Sequence, residues 1–543
     1  MLVHRLISCR AMSKATRGSC LSGLKQLHVT PQCARHFPRQ QQKQQQQQKQ
    51  QCQPALQQQC RLVATSAASA EVQASPAAAA AAAGPQPTAN LVTLLRGRGL
   101  LQDLTSDELE KAAAATCLPI YVGFDPTADS LHLGNLLGVI VLAWAGACGH
   151  TPIALCGGAT GRVGDPSGRS TERPVLTEAE IQGNVDAIAD TLRTILGRAA
   201  SQLSVGSDGS VQYSAAPGGS SSSSGGAADQ VTVLNNLDWF GSMSFLSFLR
   251  DVGKHARVGQ MLAKESVRSR MESESGISFT EFTYQLLQGY DFVHLARQHG
   301  VRVQAGGSDQ WGNITAGTDL IRKLMAAEGQ EPPQCFGLTF PLLVDSEGRK
   351  FGKSTGGAIW LSEAKLSPYK FYQYLFQVTD ADVIKFLRML TFLPLEEINA
   401  LEAAMGQPDY VPNTAQKRLA EAVTRFVHGE EGLAQALKAT EALRPGAATA
   451  LDAATLEAIA GDAPSCSLPA SQLVGAPLTD VMVAARMLRS KGEVRRLIKG
   501  GGVYLNNAKV MEELQAVQQE DLIEGRLLLL AAGKKNKMLV RVK

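Results

Sequence analysis

Between residues 118 and 344, five short apolar runs alternate with longer segments of helical periodicity. The runs are "LPIYVGF", "PIALCGG", "VTVLNN", "VRVQAGG" and "LTFPLLV". Runs of this length bounded by glycine, proline and asparagine read as strands, and their near-continuous apolarity reads as burial on both faces. A helix between successive strands makes each connection a crossover, so the strands pair in parallel. The expected fold of this region is a doubly wound α/β sheet.

Such sheets bind ligands outside the carboxyl ends of their strands. Three polar, glycine-bearing segments fall at that position: "DPTADSLHLGN" after "IYVGF", "GGATGRVGDPSG" after "PIAL", and "GGSDQWGN" after "VRVQA". Glycine lets backbone approach a ligand closely, and a following helix N-terminus offers free amides to an anion. One such loop would mean little; three at equivalent positions predict a nucleotide pocket. His132 and Asn135 flank Leu133-Gly134 where the apolar helix "LHLGNLLGVIVLAW" begins, and both side chains are expected to face the strand end. Tyr284, Gln288 and Asp291 stand at i, i+4 and i+7 in "FTYQLLQGYDF", which puts them on one helix face.

A length of 543 residues allows two or three domains, and 44% hydrophobic residues allow each a core. No run of 18 apolar residues occurs, which argues against a membrane span. The net charge of +4 hides an asymmetry: residues 1–70 hold ten Lys/Arg and no Asp/Glu, which leaves the remainder at −6. Basic residues interleaved with Leu, Ile and Val at the start fit an organelle transit peptide, the plainer alternative being a disordered basic tail. The tracts "QQQKQQQQQKQQCQ" and "SPAAAAAAAGPQP" that follow are low-complexity and are assigned no fold. Five of the ten cysteines precede residue 61, and Cys117, Cys148, Cys156, Cys335 and Cys466 show no CxxC spacing. Neither a zinc site nor a disulfide framework is expected, and a reducing interior is.

These features divide the chain into a leader and low-complexity segment (1–88), the α/β region (89–380), an α-helical region (381–443), a linker (444–477) and a small α+β tail (478–543). Residues 206–230, rich in Ser and Gly, are expected to be a flexible surface insertion. The tail carries seven Lys/Arg against one Glu between Arg486 and Lys509, a charge pattern suited to phosphate contacts.

"HLGN" (132–135) resembles the HIGH signature of class I aminoacyl-tRNA synthetases, and "KFGKS" (350–354) resembles their KMSKS signature. With "YVGFDPTADSLHLGN", "GISFTEFTYQLLQGYDF" and "GGSDQWGNI", the ordered set is similar to bacterial-type tyrosyl-tRNA synthetases over residues 90–440 and the tail. The resemblance implies a Rossmann-like catalytic domain that activates L-tyrosine with ATP and transfers it to tRNA(Tyr), in a homodimer. It assigns Thr127, His132, Asn135, Lys350, Lys353 and Ser354 to catalysis at the phosphates, with Mg2+ carried on ATP itself. Gly123, Asp125, Gly307 and Asp309 would hold the nucleotide together with His132, Asn135 and Lys353. Tyr284, Gln288 and Asp165 would bind the α-amino group, Tyr121 and Asp291 the phenol hydroxyl, and Gln310 would orient the substrate. Arg486, Arg489, Lys491, Arg495, Arg496 and Lys499 would bind RNA, as in a small module shared with a ribosomal protein. The compartment implied is the mitochondrion, the chloroplast or both. Two alternatives stay open: a tryptophanyl enzyme of the same class, and an organellar RNA-binding or splicing protein on a synthetase scaffold.

Overall fold

Every apolar run named above contributes a strand in the computed structural model. It describes residues 86–543 except 170, 174–175, 214–230, 355–356, 445, 447–452, 454–455, 458–463 and 534–535. The leader and nearly all of the low-complexity segment therefore lie outside the described residues, as does most of the Ser/Gly-rich insertion. Strands β1 (Asp103–Leu104), β2 (Pro119–Phe124) and β3 (Thr151–Cys156) are followed by a small hairpin of β4 (Leu203–Val205) and β5 (Val211–Tyr213). After these come β6 (Thr232–Asn235), β7 (Val303–Gly307) and β8 (Phe336–Phe340). The main sheet has the order β1-β8-β7-β2-β3-β6, parallel throughout except for the antiparallel edge strand β1.

Chain order reverses between β2 and its neighbour β7, so the loops leaving these two strands diverge and open a crevice at the carboxyl end of the sheet. Side chains of β2 alternate across the sheet. Ile120, Val122 and Phe124 enter the core that includes helix Leu136–Ala147, whereas Tyr121 enters the opposite core with Phe292 of helix Phe279–Gln298. Helix Leu136–Ala147 is buried at every position from Leu136 to Ala145 because it is sandwiched between the sheet and further helices. The start of helix Phe279–Gln298 is set by Ser278, whose hydroxyl accepts the Glu281 amide, and by a buried Arg270–Glu281 ion pair at 2.8 Å.

Three boundaries differ from expectation. Residues 206–213, expected to belong to a flexible insertion, are ordered: β5 pairs with β4, and the Tyr213 ring stacks on Phe392 at 5.6 Å. Val211 and Tyr213 supply apolar contacts that the surrounding Ser and Gly conceal. Helix Pro368–Phe376 already packs along the long helix Thr414–Ala442, so the helical layer begins before residue 381. Two short strands lie between them and the sheet in chain order, β9 (Lys353–Ser354) and β10 (Gly357–Ala358). The tail sheet adds β11 (Ser465–Leu468), β12 (Val503–Leu505), β13 (Ala508–Lys509), β14 (Leu527–Ala532) and β15 (Asn536–Val542) in the order β11-β15-β14-β12-β13. Strand β11 lies in the stretch read as linker; its polar sequence "SCSL" gives no strand signal, and its place comes from parallel pairing with β15.

One buried cation joins the N-terminal helices to the helical layer. Arg98 is 2% exposed, lies 4.3 Å from the Trp144 ring centroid, and donates to Thr391 O at 3.0 Å and Leu393 O at 2.7 Å. Burial lowers its pKa to about 10. The guanidinium so satisfies carbonyls just beyond the C-terminus of helix Asp380–Leu390. Replacing Arg98 by Ala is expected to cost about 2–6 kcal/mol, at about 1–3 for each of the two carbonyls left without a donor. Arg98→Lys is expected to recover little of this, because a single ammonium lacks the planar fork that serves both carbonyls. Thermal melting of both variants checks this, and a melting temperature equal to wild type for either one contradicts it.

Candidate functional site

The crevice between the ends of β2 and β7 is a cavity of about 590 Å³. It collects the three loops singled out in the sequence, a face of helix Phe279–Gln298 and the segment around Lys350. Tyr121, Gly123, Asp125, Thr127, His132 and Asn135 line it from the first strand and loop. Asp165 comes from the second loop, and Gly307, Asp309 and Gln310 from the third. Tyr284, Gln288 and Asp291 come from the helix, and Lys350 and Lys353 from the later segment. Ser354 pairs with Gly357 in the short β9–β10 ladder.

One end of the cavity is a continuous hydrogen-bond chain. The Tyr284 hydroxyl donates to Asp125 Oδ2 at 2.9 Å, and the Thr160 hydroxyl donates to Asp125 Oδ1 at 2.9 Å. Asn236 Nδ2 donates both to Thr160 Oγ1 and to Asp291 Oδ2, each at 3.0 Å. Trp239 Nε1 donates to Asp291 Oδ1 at 2.9 Å. Every donor in the chain thus points toward one of two carboxylates. Burial pushes the Asp291 carboxyl up to about 8, with the two donors opposing the shift. Burial, reinforced by the charge of Asp165, pushes Asp125 up to about 6. Asp125, which the resemblance placed beside a ribose, is joined to the chain that ends at Asp291 through Thr160 and Asn236, and it also accepts from Tyr284. The close approach requires glycine at 157, where a Cβ would stand 2.3 Å from Asp125 Oδ1.

Asp165 is held separately, accepting from Gln310 Nε2 at 2.8 Å and from the Ser167 amide at 2.9 Å. Three buried polar atoms, Tyr121 Oη, Gln288 Oε1 and Gln304 Oε1, have no hydrogen-bond partner among the described residues, and all three residues line the cavity. Buried polar groups of this kind are matched to a polar ligand. Burial raises the Tyr121 phenol well above its ordinary value, and the nearby Asp291 charge adds to the shift.

The other end of the cavity is cationic. Lys350 and Lys353 line it, Lys350 near Asp309 and Lys353 near His132, whereas Arg169 and Arg173 line the cavity beside Asp165, with Arg173 Nε donating to Asp165 O at 3.3 Å and its charge reaching Asp125. The His132 pKa is lowered, first by burial and then by Lys353, which favours the neutral imidazole. Asn135 Oδ1 accepts the His132 backbone amide at 3.1 Å, which leaves Nδ2 as the group able to donate. Such an end suits a polyphosphate. By contrast Arg162, in the same loop as Asp165, pairs with Glu178 at 2.8 Å, and Arg162 does not line the cavity.

Sequence reasoning did not single out Thr160, Asn236, Trp239, Gln304, Arg169 or Arg173. Thr160 and Arg169 lie in or beside a loop already picked out, and Asn236 directly follows β6. The strand-end rule applied to all the parallel strands would have found Asn236. Trp239 acts on another side chain and leaves no local signal.

In the tail, all six predicted cations are exposed. Helix Lys491–Lys499 turns Val494 and Ile498 inward, so Arg495, Arg496 and Lys499 face out. Lys491 pairs with Asp480 at 2.9 Å and Lys499 with Glu513 at 3.1 Å, whereas Arg486, Arg489, Arg495 and Arg496 make no ion pair with a described residue.

Residues 115–443 match the family model of tRNA synthetases class I (W and Y), and residues 455–540 match the tyrosine--tRNA ligase SYY-like C-terminal domain. The chain is 55% identical to a chloroplastic/mitochondrial tyrosine--tRNA ligase of Arabidopsis thaliana, over 83% of this chain and 84% of that protein. It is 51% identical to a tyrosine--tRNA ligase of Protochlamydia amoebophila, over 83% of this chain and 99% of that one. A C-terminally truncated mitochondrial tyrosyl-tRNA synthetase of Aspergillus nidulans superposes with a TM-score of 0.54 at 31% identity, over 64% of this chain and 92% of that chain. With a cavity acidic at one end and cationic at the other, and with identity this high along most of its length, the chain belongs to the class I tRNA synthetases, among the tyrosine--tRNA ligases.

Proposed function

We propose that the cavity activates L-tyrosine with ATP and then charges tRNA(Tyr), and that the hydrogen-bond chain ending at Asp291 is what selects tyrosine. A tyrosine carboxylate oxygen attacks the α-phosphorus; an O–P bond forms as the bond to pyrophosphate breaks. A hydroxyl of the terminal ribose then attacks the acyl carbon, and AMP leaves. The protein forms no covalent bond in either step, so its contribution is positioning and charge stabilisation. Lys350 and Lys353 at the far end would meet the charge gathering on pyrophosphate, while neutral His132, Thr127 and the Asn135 amide would contact phosphate or ribose oxygens. Gly123, Gly307 and Asp309 line the path between the two ends and would hold the nucleoside. Mg2+ would enter on the ATP phosphates and neutralise part of their charge.

The single observation that carries the choice of tyrosine is the pairing of Asp291, fixed by Asn236 and Trp239, with the unpartnered hydroxyl of Tyr121. A phenol hydroxyl would satisfy both groups. Phenylalanine would leave the buried Tyr121 hydroxyl unpaired and would give Asp291 no donor beyond Asn236 and Trp239, which is the costly outcome. Gln288 and Asp165 would bind the α-amino group, with Gln310 orienting both Asp165 and the substrate.

A homodimer is part of this reading. Phe245, Leu246, Val258 and Phe279 are each at least 60% exposed, on the successive helices Phe245–Asp251 and Val258–Leu262 and at the start of Phe279–Gln298. Apolar exposure of this extent favours a second copy as its cover. We also infer an organellar site of action, mitochondrion or chloroplast, supported by the basic, acid-free N-terminal seventy residues and by the organellar relative. No helix among the described residues is long and apolar enough to cross a membrane.

The tail's unpaired arginines would bind tRNA phosphates. Arg489, Arg495 and Arg496 changed together to Ala should leave tyrosine-dependent pyrophosphate exchange intact and weaken tRNA binding. The slope of log K against log salt should shrink by up to about 0.7–0.9 for each phosphate no longer neutralised. An unchanged slope would show that these residues do not touch RNA.

Asp291→Asn tests the selection and carries a pH signature. The ratio of kcat/KM for tyrosine over phenylalanine in pyrophosphate exchange should fall about 2- to 13-fold at neutral pH, the equivalent of about 0.5–1.5 kcal/mol for a hydrogen bond to a carboxyl that is largely protonated there. Burial raises this carboxyl from 3.8 to about 8, so its contribution to stability is complete below 3.8 and is lost as pH rises through about 8. Asparagine does not titrate, so the melting temperature of the variant relative to wild type should climb between about pH 5 and pH 9. A constant offset, together with an unchanged ratio, would remove Asp291 from the specificity pocket.

A further inference from the structure

The segment from Val344 to Gly352, which carries Lys350, is fastened to the helical layer at several points. Lys385 Nζ donates to Val344 O at 2.8 Å, and the Ser346 hydroxyl donates to Asp382 Oδ2 at 3.2 Å. The Phe351 ring lies 4.3 Å from Phe386 and 5.0 Å from Tyr374, centroid to centroid. The backbone amide of Gly352 donates to the Tyr374 hydroxyl at 2.9 Å. Tyr374 belongs to helix Pro368–Phe376, and Asp382, Lys385 and Phe386 to helix Asp380–Leu390.

Gly352 is also the point where the two signature segments meet. Its φ of +96° is open to glycine and strained for any L side chain, and a Cβ there would stand 3.1 Å from Leu133 Cβ and 3.4 Å from the Gly134 nitrogen. The Ile359 amide donates to Gly352 O at 2.9 Å, and the Leu133 amide donates to Ile359 O at 2.8 Å. A buried glycine has no side chain to anchor it, so its place depends on its backbone bonds. Among the described residues, Tyr374 is the side chain that takes its amide proton.

We propose that Tyr374 is a positioning residue for tyrosine activation. Its hydroxyl holds Gly352 against the His132–Gly134 turn, and that contact keeps Lys350 and Lys353, on either side of Gly352, aimed at the phosphate end of the cavity. The proposal rests on the reading of the cavity as a tyrosine-activating site. Without the hydroxyl the Gly352 amide is buried with no acceptor, and the segment gains by shifting toward water. Such a shift displaces the lysines, whose charge counts chiefly in the transition state.

The test uses the full chain and the change Tyr374→Phe, which keeps the ring on Phe351 and removes only the hydroxyl. Tyrosine affinity, measured at equilibrium, should be unchanged, while the single-turnover rate of tyrosyl-adenylate formation should fall about 3- to 10-fold, the range for one lost neutral hydrogen bond. In a background carrying both Lys350→Ala and Lys353→Ala the same change should lower the rate by less than about 2-fold, because the groups it positions are gone. An equal loss in both backgrounds, a parallel loss of tyrosine affinity, or a wild-type rate for Tyr374→Phe overturns the proposal while leaving the assigned activity in place. A wild-type chain with no tyrosine-dependent pyrophosphate exchange overturns both.

Discussion

Asp125 and Asp291 are buried in a single cavity, where the Asp125 charge adds to the burial that disfavours charge on Asp291. An apolar core would expel such groups. Here both stay, because Tyr284, Thr160, Asn236 and Trp239 aim hydrogens at all four carboxyl oxygens. Those donors come from four stretches of chain: helix Phe279–Gln298, the loop after β3, the end of β6 and the helix Leu237–Phe240 that follows it. Holding them in register requires the central sheet. The raised carboxyl pKa values mark acids whose ionised form burial disfavours, so this arrangement works locally against the stability of the sheet that holds it.

The central strands and the three ligand loops were legible in the sequence because their signals are local. Apolar runs ended by glycine identify a strand and its exit loop within about a dozen residues, and the spacing of Tyr284, Gln288 and Asp291 identifies a face. The features that leave no such signal depend on distant partners. Strand β1 is two residues long and exists only through its pairing with Thr339 and Leu338. Trp239 and Asn236 matter by what they do to Asp291, more than fifty residues away. The resemblance supplied the expectation for the phosphate end. It gave no sign of the hydrogen bonds that Asp125 accepts from Tyr284 and Thr160, the first of which exists only once helix Phe279–Gln298 is docked on the sheet.

Between the sheet and the helical layer, the sequence pattern shows only that both are amphipathic or buried. The geometry that unites them rests on a few polar contacts to backbone. Arg98 reaches carbonyls beyond helix Asp380–Leu390, and Arg198 reaches Phe426 O and Val427 O where the long helix breaks at Gly429, whose φ is 76°. Each of these arginines replaces hydrogen bonds that a helix end or break has lost, Arg98 in a buried place and Arg198 in a half-buried one. No periodicity predicts them, because each joins residues more than two hundred positions apart.

The tail follows a different order of construction. Its last strand, β15, lies inside the sheet between β11 and β14, and β11 comes from the stretch that leads out of the helical layer. The sheet is thus incomplete until the C-terminal residues are present. Its outer face then packs Leu527, Leu529 and Leu539 against Ala439 and Leu443 at the end of the long helix, while Leu528, Leu530 and Val540 enter the tail's own core. Asn507 Nδ2 adds a buried bond to Ala442 O at 2.6 Å. A strand whose alternate residues serve two cores cannot slip by one residue without exchanging them. The exposed arginines of helix Lys491–Lys499 are therefore carried on a support held in register with the helical layer, which fixes the orientation of that basic surface.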